Sequence, residues 1–182
     1  MNSIVGPRPI GWISTRTTDG RRNLAPYSYF NLLDNRPPLL AFASNGWKDT
    51  VQIVQETGVF IWNLATVDLV AEVEATSSDE GRDEFDATGL TPVRGMTVKA
   101  DRVAESPVAI ECVATQITQL QTHNGTQLDS WLVIGEAVHI HLDPLTITND
   151  VFEIKKARTL LRGGRPGEYF GVDYASRIQL TT

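Results

Sequence analysis

Two runs late in the chain, Val108 to Leu120 and Ser130 to Leu142, constrain its fold more than any other feature. They are joined across His123-Asn124-Gly125-Thr126, where Asn-Gly supplies the positive φ angles of a tight turn, so a long antiparallel hairpin is predicted. Shorter strand patterns precede it at Ile10–Ile13, Arg22–Ala25, Leu39–Ala43 (ending at Ser44) and Phe60–Leu64. Between them lie two short helical stripes. One spans Asp49–Thr57, with Asp49 placed to cap it and Gly58 to stop it; the other carries Leu69, Val70 and Val73 and ends near Thr76. Strands outnumber helices and no βαβ rhythm appears. Periodicity therefore reads the chain as β-rich, all-β or α+β, a barrel or sandwich with short helices.

A length of 182 residues with 41% hydrophobic content is enough for one sizeable core, so residues 1–182 are read as a single domain. The net charge is −6 and no block of Lys or Arg occurs, which argues against a nucleic-acid partner or an anionic membrane surface. No apolar run approaches the roughly 20 residues that a membrane helix needs. The single Cys112 cannot form an internal disulfide, and the N-terminus lacks the layout of a secretion signal, so a cytoplasmic protein is expected. In that setting Asn124-Gly125-Thr126 reads as a turn and not as a glycosylation site. Cys112 itself, beside Ile110 and Val113, reads as a small buried hydrophobe, and Trp12, Trp47, Trp62 and Trp131 as core.

The stretch Pro7 to Asn31, PRPIGWISTRTTDGRRNLAPYSYFN, is less regular. Asp19-Gly20 supplies a hairpin turn, and Pro26, which has no N–H, is expected to deflect the returning arm out of regular pairing. Tyr27-Ser28-Tyr29-Phe30-Asn31 then forms a rim of amides, hydroxyls and aromatic faces, the mixture a planar polar heteroaromatic ring requires. The order PRPIGWIST, a turn, N-L-A-P-Y-S-Y-F-N and later Lys48-Asp49-Thr50 resembles the flavin reductase-like family of FMN-binding split barrels. Glu84-Phe85, Gly89-Leu90-Thr91-Pro92, Glu111-Cys112 and Gly135-Glu136 extend the resemblance, which weakens after about Asp143. It implies an antiparallel FMN-binding split β-barrel with short flanking helices, FMN held by the loop after the second strand, and NADH or NADPH as reductant. It also implies a homodimer whose partner helps wall the pocket, and delivery of reduced flavin to a monooxygenase. Relatives of this kind carry a longer lead than the six residues before Pro7, so contacts from such a lead are expected to be missing. The rival reading is a non-catalytic FMN-binding electron-transfer protein.

FMN needs neutralisation of its phosphate, cover for its ring and donors along the ring's polar edge. For the phosphate the candidates are Ser44, Lys48, Asp49 and Thr50, where a strand gives way to a helix N-terminus. Asp49 is discordant, because a carboxylate repels phosphate, and it suits a cap better; the alternative is an ordinary capped helix. For the ring the candidates are Thr15, Asn23, Ala25, Pro26, Tyr27, Ser28 and Tyr29, the alternative being that the aromatics are core. Arg8, Arg162 and Tyr169 are candidates near the site mouth, where a cation would stabilise reduced flavin; Arg162 opens the expected flexible loop 162–167. No catalytic side chain is assigned, since hydride transfer between two rings needs positioning and no protein nucleophile. Neither a Gly-x-Gly-x-x-Gly nor a P-loop motif is present.

His139 and His141 alternate with Val138, Ile140 and Leu142 and so share one face, but no third ligand lies nearby in sequence, and no metal is expected. The acidic run Ser77 to Glu84 has no apolar period and reads as a solvated loop pinned by Phe85 and Leu90, with a lid or partner loop reaching across the site as the sharper alternative.

Overall fold

The computed structural model describes residues 1–78 and 83–180. Its strands are β1 (Arg8–Pro9), β2 (Gly11–Arg16), β3 (Arg22–Tyr27), β4 (Phe30–Asn35), β5 (Pro38–Asn45), β6 (Val59–Asn63), β7 (Pro92–Arg94), β8 (Asp101–Val103), β9 (Val108–Gln121) and β10 (Gln127–Leu142). Two short pairs follow, β11 (Ile147–Thr148) with β12 (Val151–Phe152), and β13 (Leu160–Arg162) with β14 (Tyr169–Gly171). Helices α1 (Asp49–Thr57), α2 (Val70–Ala75), α3 (Glu84–Thr88) and α4 (Ile154–Ala157) flank them.

Seven strands form one antiparallel sheet in the order β3-β2-β6-β9-β10-β5-β4. Its two edge strands are chain neighbours, separated by only Ser28 and Tyr29. In a flat sheet of this order β3 and β4 would stand about 29 Å apart, six spacings of about 4.8 Å, whereas the step from Tyr27 to Phe30 reaches at most about 11 Å. The sheet must therefore roll until its edges nearly meet, and the incompletely zipped seam between them makes the barrel a split one.

The interior explains why the roll is stable. Ile13, Tyr27, Leu40, Phe42, Phe60, Cys112 and Val133 meet there from six strands, and Val51 and Val54 of α1 close one end. Gly135 is required at its position, because a Cβ would come within 2.4 Å of the Phe60 ring. The opposite face of β2 and β3 is buried as well: Trp12 and Leu24 pack with Val73 of α2 and with Phe85 and Leu90 around α3. As Gly58 predicts, α1 ends in a left-handed cap, at φ 73°. Asn124-Gly125 lies in the turn between Gln121 and Gln127, where Gly125 takes a positive φ of 85° and Asn124 does not.

Several expectations are corrected. Pro26 does not deflect the chain: β3 pairs with β2 through Trp12↔Pro26 and Gly11↔Tyr27. It is tolerated because β3 is an edge strand, where one side of the backbone makes no ladder bonds. Phe30 and Asn31, expected only as the end of a rim, begin the strand Phe30–Asn35. Trp47 is 42% exposed and meets Trp131 edge-on, so it is not core. The segment 162–167 is a closed turn, tied by Gly163 N–H to the Glu168 carbonyl and by Arg162 Nη1 to the Arg165 and Glu168 carbonyls. Of the acidic run, residues 79–82 lie outside the described residues. Its far end is no solvated loop: Asp83 caps α3 by accepting from the Phe85 and Asp86 amides, and Arg22 pairs with both Asp83 and Asp86.

Outside the barrel, Glu111 of β9 is completely buried, and it accepts from the amides of Met96, Thr97 and Val98. Burial alone would raise this carboxyl, but His141 and those three amides outweigh it and hold it at about 2. Among the described residues, no helix is long and apolar enough to cross a membrane.

Candidate functional site

A cavity of about 190 Å³ opens where the seam between the barrel edges meets the start of α1. Asn23, Ala25, Pro26, Tyr27, Ser28 and Tyr29 form one wall. Ala43 and Asn45 at the end of β5, with Lys48, Asp49 and Thr50, form the second, and Thr76, Ser77, Ser78 and Glu84 form the third.

The α1 end of the cavity has the attributes of an anion site. Lys48 is the N-cap in an extended conformation, and its side chain makes no capping bond to the first-turn amides. Asp49 does not cap the helix either. Its carboxylate pairs with Arg21 at 2.7 Å, which offsets its charge. Thr50 is fully buried and accepts from Asn23 Nδ2 at 2.9 Å; the same amide group donates to Thr15 Oγ1 at 3.2 Å. This chain of hydrogen bonds locks the β2–β3 hairpin to the helix start, so the two walls cannot drift independently. A hydroxyl proton on Thr50 remains to be donated.

At the seam end the polar groups are mostly backbone. Tyr27 is largely core, its ring 4.7 Å from Phe42. The Ser28 carbonyl accepts from Arg8 Nε at 3.0 Å, and the Tyr29 carbonyl accepts from Ala43 N–H at 2.8 Å. Tyr29 is exposed, with Arg8 over its ring and its hydroxyl on Asn2. Pro26, Ser28 and Ser77 also line a smaller adjoining cavity of about 130 Å³ with Ile10, Val73, Glu74, Arg162 and Tyr169. There the Arg162 guanidinium lies 4.8 Å from the centre of the Tyr169 ring. Burial, and then the hydrogen bond and charge of Glu74, push the Tyr169 hydroxyl well above its usual pKa.

The structure thus brings Asn23, Ala25, Pro26, Tyr27, Ser28, Tyr29, Lys48, Asp49 and Thr50 onto one cavity, and Arg162 and Tyr169 onto its neighbour. Three candidates stand elsewhere. Thr15 lies behind the wall, bonded to Asn23. Ser44 is fully buried and donates to the Gly46 carbonyl at 2.8 Å. Arg8 is a clamp, donating to the carbonyls of Ser28, Asn2, Val5 and Gly163. Sequence reasoning missed Ala43, Asn45 and Thr76 as wall residues, whereas Ser77, Ser78 and Glu84, also on the wall, belong to the acidic run whose alternative reading is a lid or partner loop over the site. The Glu84 carboxylate accepts from Leu24 N–H, and burial raises its pKa.

Residues 3–153 match the family model described as "Flavin reductase like domain". An uncharacterized protein from Aquifex aeolicus is 31% identical over 174 residues, covering 92% of this chain and 85% of that one. Nitrilotriacetate monooxygenase component B from Bacillus cereus superposes with a TM-score of 0.90 at 23% identity, covering 98% of this chain and 90% of the other. A split-barrel protein from Shewanella frigidimarina, assigned as a flavin reductase, gives 0.85 at 26% identity over 99% and 89%. With a rolled antiparallel sheet, a cavity at its seam and a family match over most of its length, this chain is a split-barrel member of the flavin reductase like domain family.

Proposed function

We propose that the chain binds FMN in the seam cavity and is an NADH- or NADPH-dependent flavin reductase. The observation that carries this reading is that one cavity joins a helix start bearing Lys48 to the polar backbone seam of Pro26–Tyr29. The residues suit the cofactor. First-turn amides of α1, Lys48 and the Thr50 hydroxyl would hold the phosphate, because a helix N-terminus with an adjacent cation favours an anion. The seam would hold the ring, with Pro26 against one face and the backbone of Tyr27, Ser28 and Tyr29 toward its edge.

Bound FMN supplies the hydride acceptor. The chain supplies position, exclusion of water and charge. Among the described residues of the cavity wall there is no histidine or cysteine, which fits a reaction that needs two rings held in register and no nucleophile. Arg162 adds positive charge beside the ring end, where reduced flavin carries negative charge. Anaerobic titration with NADH and NADPH, following flavin bleaching, tests the reading. Rapid bleaching by either is expected; a bound flavin that neither reduces would make the protein a carrier.

The active form is read as a homodimer. The cavity is smaller than pockets that enclose a whole ligand of FMN's size, and apolar side chains stand exposed on β9 and β10 (Val113, Val138, Ile140) and on β4 (Leu32, Leu33). A second copy covering such surface would complete the wall. Light scattering at micromolar concentration should return a dimer; a monomer that still holds FMN would remove the shared wall. Reduced flavin would pass to a monooxygenase or be used in place, and the name of the Bacillus cereus neighbour accords with the first.

A further inference from the structure

Strand β10 changes the face it presents to β9 at Val138. Ala137 stands opposite Cys112, inside the barrel, and the register then slips so that His139, not Val138, stands opposite Glu111. One extra residue in a strand reverses the alternation of everything beyond it. Without the slip, His139 and His141 would follow Gly135 and Ala137 toward the interior. With it they stand on the outer face beside Glu111.

Three donors converge there from strands that the sequence separates. Glu111 is wholly buried, His139 and His141 are partly buried, and one ligand atom from each lies within 4.8 Å of the others. His141 Nε2 is 2.6 Å from Glu111 Oε1, and the two imidazole centres are 4.6 Å apart. The carboxylate is already oriented by the Met96, Thr97 and Val98 amides, the kind of outer support that fixes a metal ligand.

We propose that Glu111, His139 and His141 form a site for a divalent transition-metal ion of the Zn²⁺ class, with the fourth position left to solvent. Two imidazoles and a carboxylate are a donor set such ions take, whereas Mg²⁺ and Ca²⁺ call for a shell of oxygens. Donors around one tetrahedral ion with bonds of about 2.0–2.1 Å stand roughly 3.3 Å apart. The His141–Glu111 contact has to open slightly and the widest separation to close, movements within reach of side-chain rotation in partly exposed imidazoles. The ion takes the Oε1 lone pair now facing His141, and both imidazoles bind as neutral ligands, so any proton between His141 and Glu111 is released. None of the three residues lines the seam cavity, so the proposal stands apart from the flavin reading. It also replaces the expectation of no metal, since the third ligand absent nearby in sequence is delivered by the neighbouring strand.

The test is calorimetric titration of the chelator-stripped full chain with Zn²⁺. One equivalent per chain is expected, with micromolar or tighter affinity. His139→Ala and His141→Ala should each weaken it at least tenfold, and His123→Ala, which alters the remaining histidine, exposed in the β9–β10 turn, should leave it unchanged. His139→Ala is the decisive variant because the Glu111–His141 contact can brace the fold without it; retained thermal stability with lost Zn²⁺ binding separates a ligand from a brace. If His141→Ala fails to fold, His139→Ala still decides. No saturable binding, or binding that survives His139→Ala, overturns the site.

Discussion

The seam cavity and the Glu111 cluster are both polar, yet they distribute their hydrogen bonds in opposite ways. Around Glu111 the carboxylate accepts from three backbone amides and meets the His141 imidazole, so the group ties the 95–98 loop and β10 to β9 and leaves only the lone pair toward His141 for an ion. In the cavity the bonds that set the geometry lie within or behind the wall, in Thr15–Asn23–Thr50, in Ser44–Gly46 and in the Arg8 clamp. Among the described residues, the Thr50 hydroxyl on that wall accepts from Asn23 and still has a proton to donate. A buried polar group that satisfies its neighbours contributes to stability, and one held in place by others but left with capacity contributes to binding.

The largest effect should come from breaking the first region. Glu111→Ala leaves three part-buried or buried amides without an acceptor, at about 1–3 kcal/mol for each unsatisfied group, so a loss of roughly 3 kcal/mol or more is expected. Urea denaturation checks it; a loss below about 1 kcal/mol would mean that water replaces the carboxylate and that the two regions do not differ as argued.

Next comes the second region. Lys48→Ala should weaken FMN binding by about tenfold to a hundredfold through loss of a charge-assisted contact, with riboflavin affinity and the unfolding midpoint nearly unchanged. Fluorescence quenching with both ligands reads this directly. Equal losses for the two ligands would remove the phosphate assignment.

Asn23→Ala sits between the two classes, since Asn23 lines the cavity and also bridges the hairpin to α1. A stability loss of about 1–2 kcal/mol together with weaker FMN binding is expected. Loss of stability with FMN affinity intact would assign Asn23 wholly to the brace.

The smallest effect concerns Glu84. Burial raises its carboxyl above the ordinary value, with Asp83 and Asp49 acting in the same direction and the Leu24 amide opposing them. A carboxyl raised on folding binds its proton more tightly in the native state. Its contribution is therefore fully present below the unfolded pKa and is lost as pH rises through the folded one. Glu84→Gln can still accept from Leu24 N–H while removing that slope, so the variant's thermal midpoint should decline less than wild type's between about pH 4 and 7. Parallel profiles would show that the group is solvated in both states.

Local features were legible in the sequence because they depend on near neighbours. The limits of α1 follow from the spacing of Val51 and Val54 and from Gly58, and the long hairpin follows from two apolar runs around Asn124-Gly125. The site was partly legible. Lys48-Asp49-Thr50 and the Asn23 to Tyr29 block announced polar groups next to a strand end and a helix start, but nothing local showed that Ser44 and Arg8 spend their donors elsewhere. Asn45, Thr76 and Glu84 reach the wall only because α1, α2 and α3 pack as they do.

Residue order is enough to specify where the backbone turns, which strands alternate and where α1 begins, since each rests on φ preferences or on periods of a few residues. The closure of the sheet was decided in three dimensions. It places β3 and β4 on opposite edges, lets Pro26 stay in the ladder because its strand has one free side, and makes the step through Ser28 and Tyr29 the seam of a cavity. The slip at Val138 was decided there too, because a register is a relation between strands. A one-residue shift turned His139 and His141 outward to Glu111, a meeting that no spacing along a single strand could have announced.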